Sequence, residues 1–326
     1  MNIQALLLVA ASMTARASAE FTVTSAVTEA ATSTSENAAF VKQWTLSAVN
    51  SADTIDSIDL DLAGRVYVSY VSGLPSGVLG YVNVSGDSQT VVDAVTVTND
   101  DTNDNDADDT NDTDGELNIR IGNSTSTATT LSGYLLTEIF LASTGVVTDV
   151  KSQRSAQVVV EDGVLASNST TAELQVETSG SSAVYVSAAS TDVSARQLHL
   201  EATGTSKLQF IVDSVSVTEL ELETQGTGTI CISAQQVTAT TYEGKGASRI
   251  SMPNASNKHD STGSLTCDES SVPAREPSCV SSACASSSTA GTAGSTTGNV
   301  DSSESSTTRL AALAAALIGA AAASLL

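Results

Sequence analysis

Between Trp44 and Met252 the chain alternates apolar and polar residues in short bursts that recur in a fixed order. Leu174, Val176, Gly180, Val184 and Val186 are followed at the same internal spacing by Leu198, Leu200, Gly204, Leu208 and Phe210. Leu220, Leu222, Gly226, Ile230 and Ile232 come next, and a weaker copy reads Thr240, Tyr242, Gly246, Ile250 and Met252. The unit is an apolar pair two residues apart, an acidic residue (Glu177, Glu201, Glu223, Glu243), a glycine and a second apolar pair. A degenerate copy precedes it, with Val150, then Arg154 in the glycine slot, then Val158 and Val160.

Each apolar pair predicts a short strand with two side chains on one face and a polar one on the other. The glycine allows a positive φ, so the chain turns a corner without a Cβ clash. Val193, Val215, Val217 and Val237 mark a third side before each next copy. One such coil cannot bury its own apolar face, whereas coils stacked about 4.8 Å apart can. The pattern therefore predicts an all-β fold, a parallel β-solenoid (β-helix) with coils of 20–24 residues. Leu174, Leu198 and Leu220 would form one inward ladder, and Val176, Leu200 and Leu222 another. A sandwich of hairpins would call for two-residue Asn-Gly or Asp-Gly turns, and only Asp114-Gly115 and Asp162-Gly163 occur.

These rows resemble the auto-transporter adhesin head (GIN) domain family, whose rungs share the strand, glycine corner, strand order of the Gly180, Gly204, Gly226 and Gly246 copies. The upstream strands at Ile58–Leu62, Val66–Val68, Tyr81–Val84, Glu116–Ile119 and Thr137–Leu141 look like the family's entry segment. The resemblance spans roughly residues 44–252. It implies a β-solenoid and, by analogy alone, adhesion; it brings no catalytic residues.

The ends read as processing signals. Residues 1–19 have an apolar run and an Ala17-Ser18-Ala19 cleavage pattern, as in a secretory signal peptide. The final Ala/Leu run from Leu310 follows a polar spacer and the small residues Gly298 and Asn299, the three parts of a GPI-attachment signal over 307–326. Asn299 is the expected lipid-attachment residue. Residues 20–43 read as a Ser/Thr/Ala-rich linker, 44–252 as the solenoid domain and 253–285 as a cysteine-containing cap or tail. Residues 286–306 read as a Ser/Thr stalk. An exported, lipid-anchored protein on the outer face of the plasma membrane or in the cell wall is the expectation.

The five sequons at Asn83, Asn111, Asn123, Asn168 and Asn254 fit that route as glycosylation sites. So do the four cysteines Cys231, Cys267, Cys279 and Cys284, for which two disulfides are expected. Cys231 lies between Ile230 and Ile232, so alternation turns its thiol outward. A cap folding back over the final coils would bond it to one of the other three.

Composition narrows the function. A net charge of −24 with 13 Lys+Arg argues against nucleic-acid binding. The two histidines, His199 and His259, leave little for metal or acid–base chemistry. The acidic run 98–116 holds eight Asp and one Glu, yet its spacing fails the EF-hand test; it reads as a solvated insertion with at most weak Ca²⁺ binding. His199 should face solvent between Gln175 and Glu221 on neighbouring rungs. The glutamate column, just after a strand in each rung, reads as a turn residue repeated from copy to copy. No nucleophile elbow, phosphate loop or zinc-protease motif occurs, so no catalytic residue, metal ligand or cofactor is assigned. The expected function is non-catalytic: a β-solenoid presented for adhesion or wall structure, whose partner is an extracellular glycan or surface protein. The alternative is a secreted carbohydrate-active β-helix, lyase-like and Ca²⁺-assisted.

Overall fold

A computed structural model of the protein describes residues 21–32, 36–99, 115–122, 131–255, 267–281 and 284. The described chain is all-β apart from short helical turns, and its sixteen strands join in one open sheet. In order they are β1 (Phe21–Ser25), β2 (Glu29–Ala30), β3 (Phe40–Ala48), β4 (Ser57–Tyr70) and β5 (Val78–Gly86). A short helix α1 (Gln89–Asp93) leads to β6 (Val95–Thr98), β7 (Glu116–Ile121), β8 (Tyr134–Leu141) and β9 (Asp149–Glu161). Then come β10 (Asn168–Thr178), β11 (Ala183–Ala202), β12 (Lys207–Thr224), β13 (Thr229–Ser233), β14 (Gln236–Lys245), β15 (Ile250–Ser251) and β16 (Ser278–Cys279).

From β9 onward the repeat copies lie side by side in parallel and in register. Leu174, Leu198 and Leu220 are Cα partners, as are Val176, Leu200 and Leu222, and all six are fully buried. After the corner, Val158, Val184, Leu208 and Ile230 align, and so do Val160, Val186, Phe210 and Ile232. Val193, Val215 and Val237 align on the third side. The corner needs its glycine: Gly204 has φ 74°, and a Cβ there would lie 2.7 Å from the Gly180 carbonyl oxygen of the preceding copy. Arg154 takes the same conformation at φ 63° without being glycine. Its guanidinium donates to the Ile121 carbonyl at 2.9 Å and to Asp61, ties that hold the strained corner. Ser206, two residues past Gly204, donates to the Thr178 carbonyl at 3.0 Å and so satisfies a buried corner group.

The first third departs from sequential stacking. β4 is central: β9 pairs along one side of it, while β7 and β8 pair along the other, all parallel. The chain thus lays β4 first and returns to both of its edges. Beyond β8 the sheet turns antiparallel, in the order β8-β5-β3-β1. The segment expected to be a linker, 20–43, supplies β1 and the start of β3; Phe21 is fully buried and pairs with Ala48. Alternating Phe21 and Val23 carry this strand, because both can pack against the sheet core.

The fourth copy is also displaced. Leu220 pairs with Tyr242 and Leu222 with Gly244, two residues off the sequence alignment, so Gly246 lies over Thr224 rather than Gly226. A 3₁₀ turn over Ala247–Arg249 absorbs the slip, and Ile250 regains its place against Ile230.

Candidate functional surfaces

Residues 267–281, described beyond the last repeat copy, run as a strap across the outer face of the strands that follow the corner, and the expected bond from Cys231 to this segment is present. Cys231, outward-facing and only 6% exposed, is bonded to Cys267. The strap then crosses one strand after another. Gln209 hydrogen-bonds to Ser271 Oγ at 3.0 Å, and Lys207 lies over the Tyr185 ring. Val272 packs on a separate apolar cluster of Tyr67, Leu136, Val159 and Tyr185. The Tyr67 hydroxyl donates to the Pro273 carbonyl, and Arg65 donates to that of Ala274 at 2.9 Å. Arg275 sits 4.7 Å over the Tyr67 ring, pairs with Glu161 at 2.7 Å and Glu138 at 3.4 Å, and donates to Ser69 at 2.8 Å. The strap ends as β16, antiparallel to the start of β8, closed by the Cys279–Cys284 disulfide.

Covering this face alters its charges. Burial pushes the Glu138 carboxyl above its ordinary range; Arg275 opposes the rise and Glu161 adds to it. Burial likewise raises the Tyr67 phenol, against the pull of Arg275 and Arg65. Sequence reasoning missed Arg275, Tyr67, Tyr185 and Glu138 as a cluster. The legible signal was the polar slot between apolar pairs, filled by Tyr67, Val159 and Tyr185, which marks an outer face that something covers.

The wall before the corner is charged instead. One row runs Asp59, Lys151, Glu177, Glu201, Glu223, Lys245; its neighbour runs Asp149, Gln175, His199, Glu221, Glu243. The glutamates are strand residues rather than turn residues, and the two-residue slip moves Glu243 into the row of His199. His199 faces outward between Gln175 and Glu221, as the alternation requires. Lys245 lies 2.9 Å from Glu223, 3.7 Å from Glu243 and 3.9 Å from Glu221, while Lys151 pairs with Asp149 at 3.2 Å. Glu201 is raised above the usual carboxylate range by burial first and then by the stacked carboxylates of Glu177 and Glu223. Glu177, His199 and Glu201 each offer one donor atom within 4.8 Å of the other two. A shallow cleft of ≈ 70 Å³, lined in part by Lys151, Glu177, Glu201 and Thr203, adjoins them.

The sequons fall in different settings. Asn168 is exposed at the start of β10. Asn254 is exposed beyond the last coil, its amide donating to the Ala234 carbonyl at 2.6 Å. Asn83 lies mid-strand in β5, half-buried, its oxygen accepting from Gln43 at 2.8 Å. Asn111, Asn123, Asn299, His259, the acidic run from Asp100 to Asp114, the Ser/Thr stalk at 286–306 and both processing signals lie outside the described residues. No helix among the described residues is long and apolar enough to cross a membrane.

No family model and no curated protein matches the chain. Among solved structures it is similar to a crystal structure described as a "putative adhesin" from Parabacteroides distasonis. That alignment covers 66% of this chain and 76% of the other at 13% identity, with a TM-score of 0.39, a distant likeness.

Proposed function

We propose that the protein is a non-catalytic surface module: a β-solenoid held on a Ser/Thr stalk by a C-terminal lipid anchor, binding an extracellular glycan or surface protein. The observation that carries this reading is the strap. It takes the chain from the last coil back across the stack to β8, with one disulfide where it leaves and one where it ends. The described strap ends beside β8, which lies inside the strand order between β5 and β4, whereas it begins at β13, next to the β15 end of that order. Pull on that tether is shared across several coils through Arg275, Pro273, Ser271 and the Cys231–Cys267 bond. Disulfides suit an oxidising, extracellular setting. The charged wall, with rows repeating about every 4.8 Å, suits contact with an extended polymer or a partner's surface.

The test has two arms. Cells displaying the full chain are treated with a phosphatidylinositol-specific phospholipase C, and the released protein is applied to glycan and cell-binding arrays. Release into the medium and saturable binding are expected. Retention on the cell, or release without binding to any glycan or cell type, contradicts the reading.

A further inference from the structure

We propose that Glu177, His199 and Glu201 form a site for one divalent cation of the Zn²⁺ class, bridging two successive coils on the charged wall. The placement comes from the register. Glu177 on β10 and Glu201 on β11 are direct Cα partners, and His199 precedes Glu201 by two residues on the same face. One donor atom from each lies within 4.8 Å of the other two. Tetrahedral Zn²⁺ at about 2.0–2.2 Å from N and O donors needs donors about 3.3–3.5 Å apart. Side-chain rotation of these three half-buried residues supplies that closure without moving the backbone.

A second observation points to a ligand. His199 Nε2 is wholly buried and has no hydrogen-bond partner. An imidazole nitrogen in that state carries either a proton with no acceptor or a lone pair with no donor, and a bound cation satisfies the lone pair. The surrounding charges agree. Glu221, Glu223 and Glu243 share Lys245, and Asp149 has Lys151, whereas no Lys or Arg among the described residues pairs with Glu177 or Glu201. A cation between them adds positive charge midway along the row, between its own two cations Lys151 and Lys245.

The donor set selects the ion. Ca²⁺ takes six to eight oxygen ligands, and two carboxylates with an imidazole cannot provide them. Imidazole with carboxylate suits Zn²⁺ and its neighbours Ni²⁺ and Cu²⁺. Three protein donors leave a position for water or for an oxygen of a bound partner, facing the cleft between Lys151 and Thr203. The inference goes beyond the display reading and does not depend on it.

Isothermal titration of the purified protein with ZnCl₂, beside the H199A, E201Q and E243Q variants, tests it, with Co²⁺ absorption as a second readout. One equivalent of Zn²⁺ per chain is expected, lost in H199A and in E201Q and kept in E243Q. Co²⁺ should show visible bands that H199A abolishes. The proposal is overturned if the unaltered protein takes up no Zn²⁺. It is also overturned if H199A or E201Q, with an unchanged melting curve, still binds one equivalent.

Discussion

Removing the Cys231–Cys267 bond isolates the strap from the rest of the fold. The bond closes a loop of 36 residues, for which the chain-entropy account gives about 4 kcal/mol at 25 °C. The Cys279–Cys284 bond closes only five residues, about 2 kcal/mol on the same account, and ties the strap to itself. In a domain of this size each kcal/mol moves Tm by about 2–4 °C, so C231S/C267S should melt about 8–16 °C lower. Replacing both cysteines avoids a stray thiol, and serine at 231 stays on the outer face, so the inward ladders are untouched. The strap still holds through Arg275, Pro273 and β16, so its amides should open locally before the coils unfold. Hydrogen exchange over residues 268–280 reads that opening, and dye binding to the uncovered Tyr67, Val159 and Tyr185 reports the bared face. A Tm within about 2 °C of the parent, together with unchanged exchange over 268–280, would refute the strap's role.

Three further outcomes follow from particular contacts. G204A should lose clearly more stability than G73A in denaturant titrations. Both positions have positive φ, at about 1–2 kcal/mol of strain, but only at Gly204 does a Cβ meet backbone, 2.7 Å from the Gly180 oxygen. R275A should be more damaging at about pH 7 than at about pH 4. Glu138 has a folded value above its ordinary 4.5, so its ionisation costs stability as pH rises past that point, and Arg275 offsets the cost. A Tm difference between R275A and parent that is the same at both pH values contradicts that sign. Glycopeptide mapping should find Asn168 occupied and Asn83 bare, since Asn83 is paired on both sides within β5 and its amide oxygen holds Gln43; the reverse pattern contradicts the exposures.

The parallel, in-register repeat copies were legible because the same physical demand recurs in each: two buried side chains, a corner and two more, with Leu198, Leu200, Gly204, Leu208 and Phe210 all where the spacing puts them. Pattern alone could not order the stack. β4 has the same inward pairs as the later coils, but nothing local says that β7, β8 and β9 will flank it. The slip at Tyr242 was hidden because Gly246 keeps its spacing to Ile250 while losing its place over Gly226. β1 was masked by its Ser/Thr surroundings, although Phe21 and Val23 alternate correctly. On the covered wall the outward thiol of Cys231 was legible. The route of its partner segment was not, because Pro273, Ala274 and Arg275 contribute mainly backbone carbonyls and one cation, which leave no periodic trace. On the charged wall, the outward direction of His199 was legible, but bringing Glu177 within reach of it depends on cross-coil register.

The central claim, a binding module rather than an enzyme, is tested most directly by presenting one preparation of the folded, disulfide-intact protein with polyuronides and glucans in the presence of Ca²⁺. Soluble products and retention on the immobilised polymers are followed together. The account predicts no release of oligosaccharide above a heat-denatured control and saturable retention on at least one glycan or cell-surface ligand. Ca²⁺-dependent accumulation of cleaved product would contradict it.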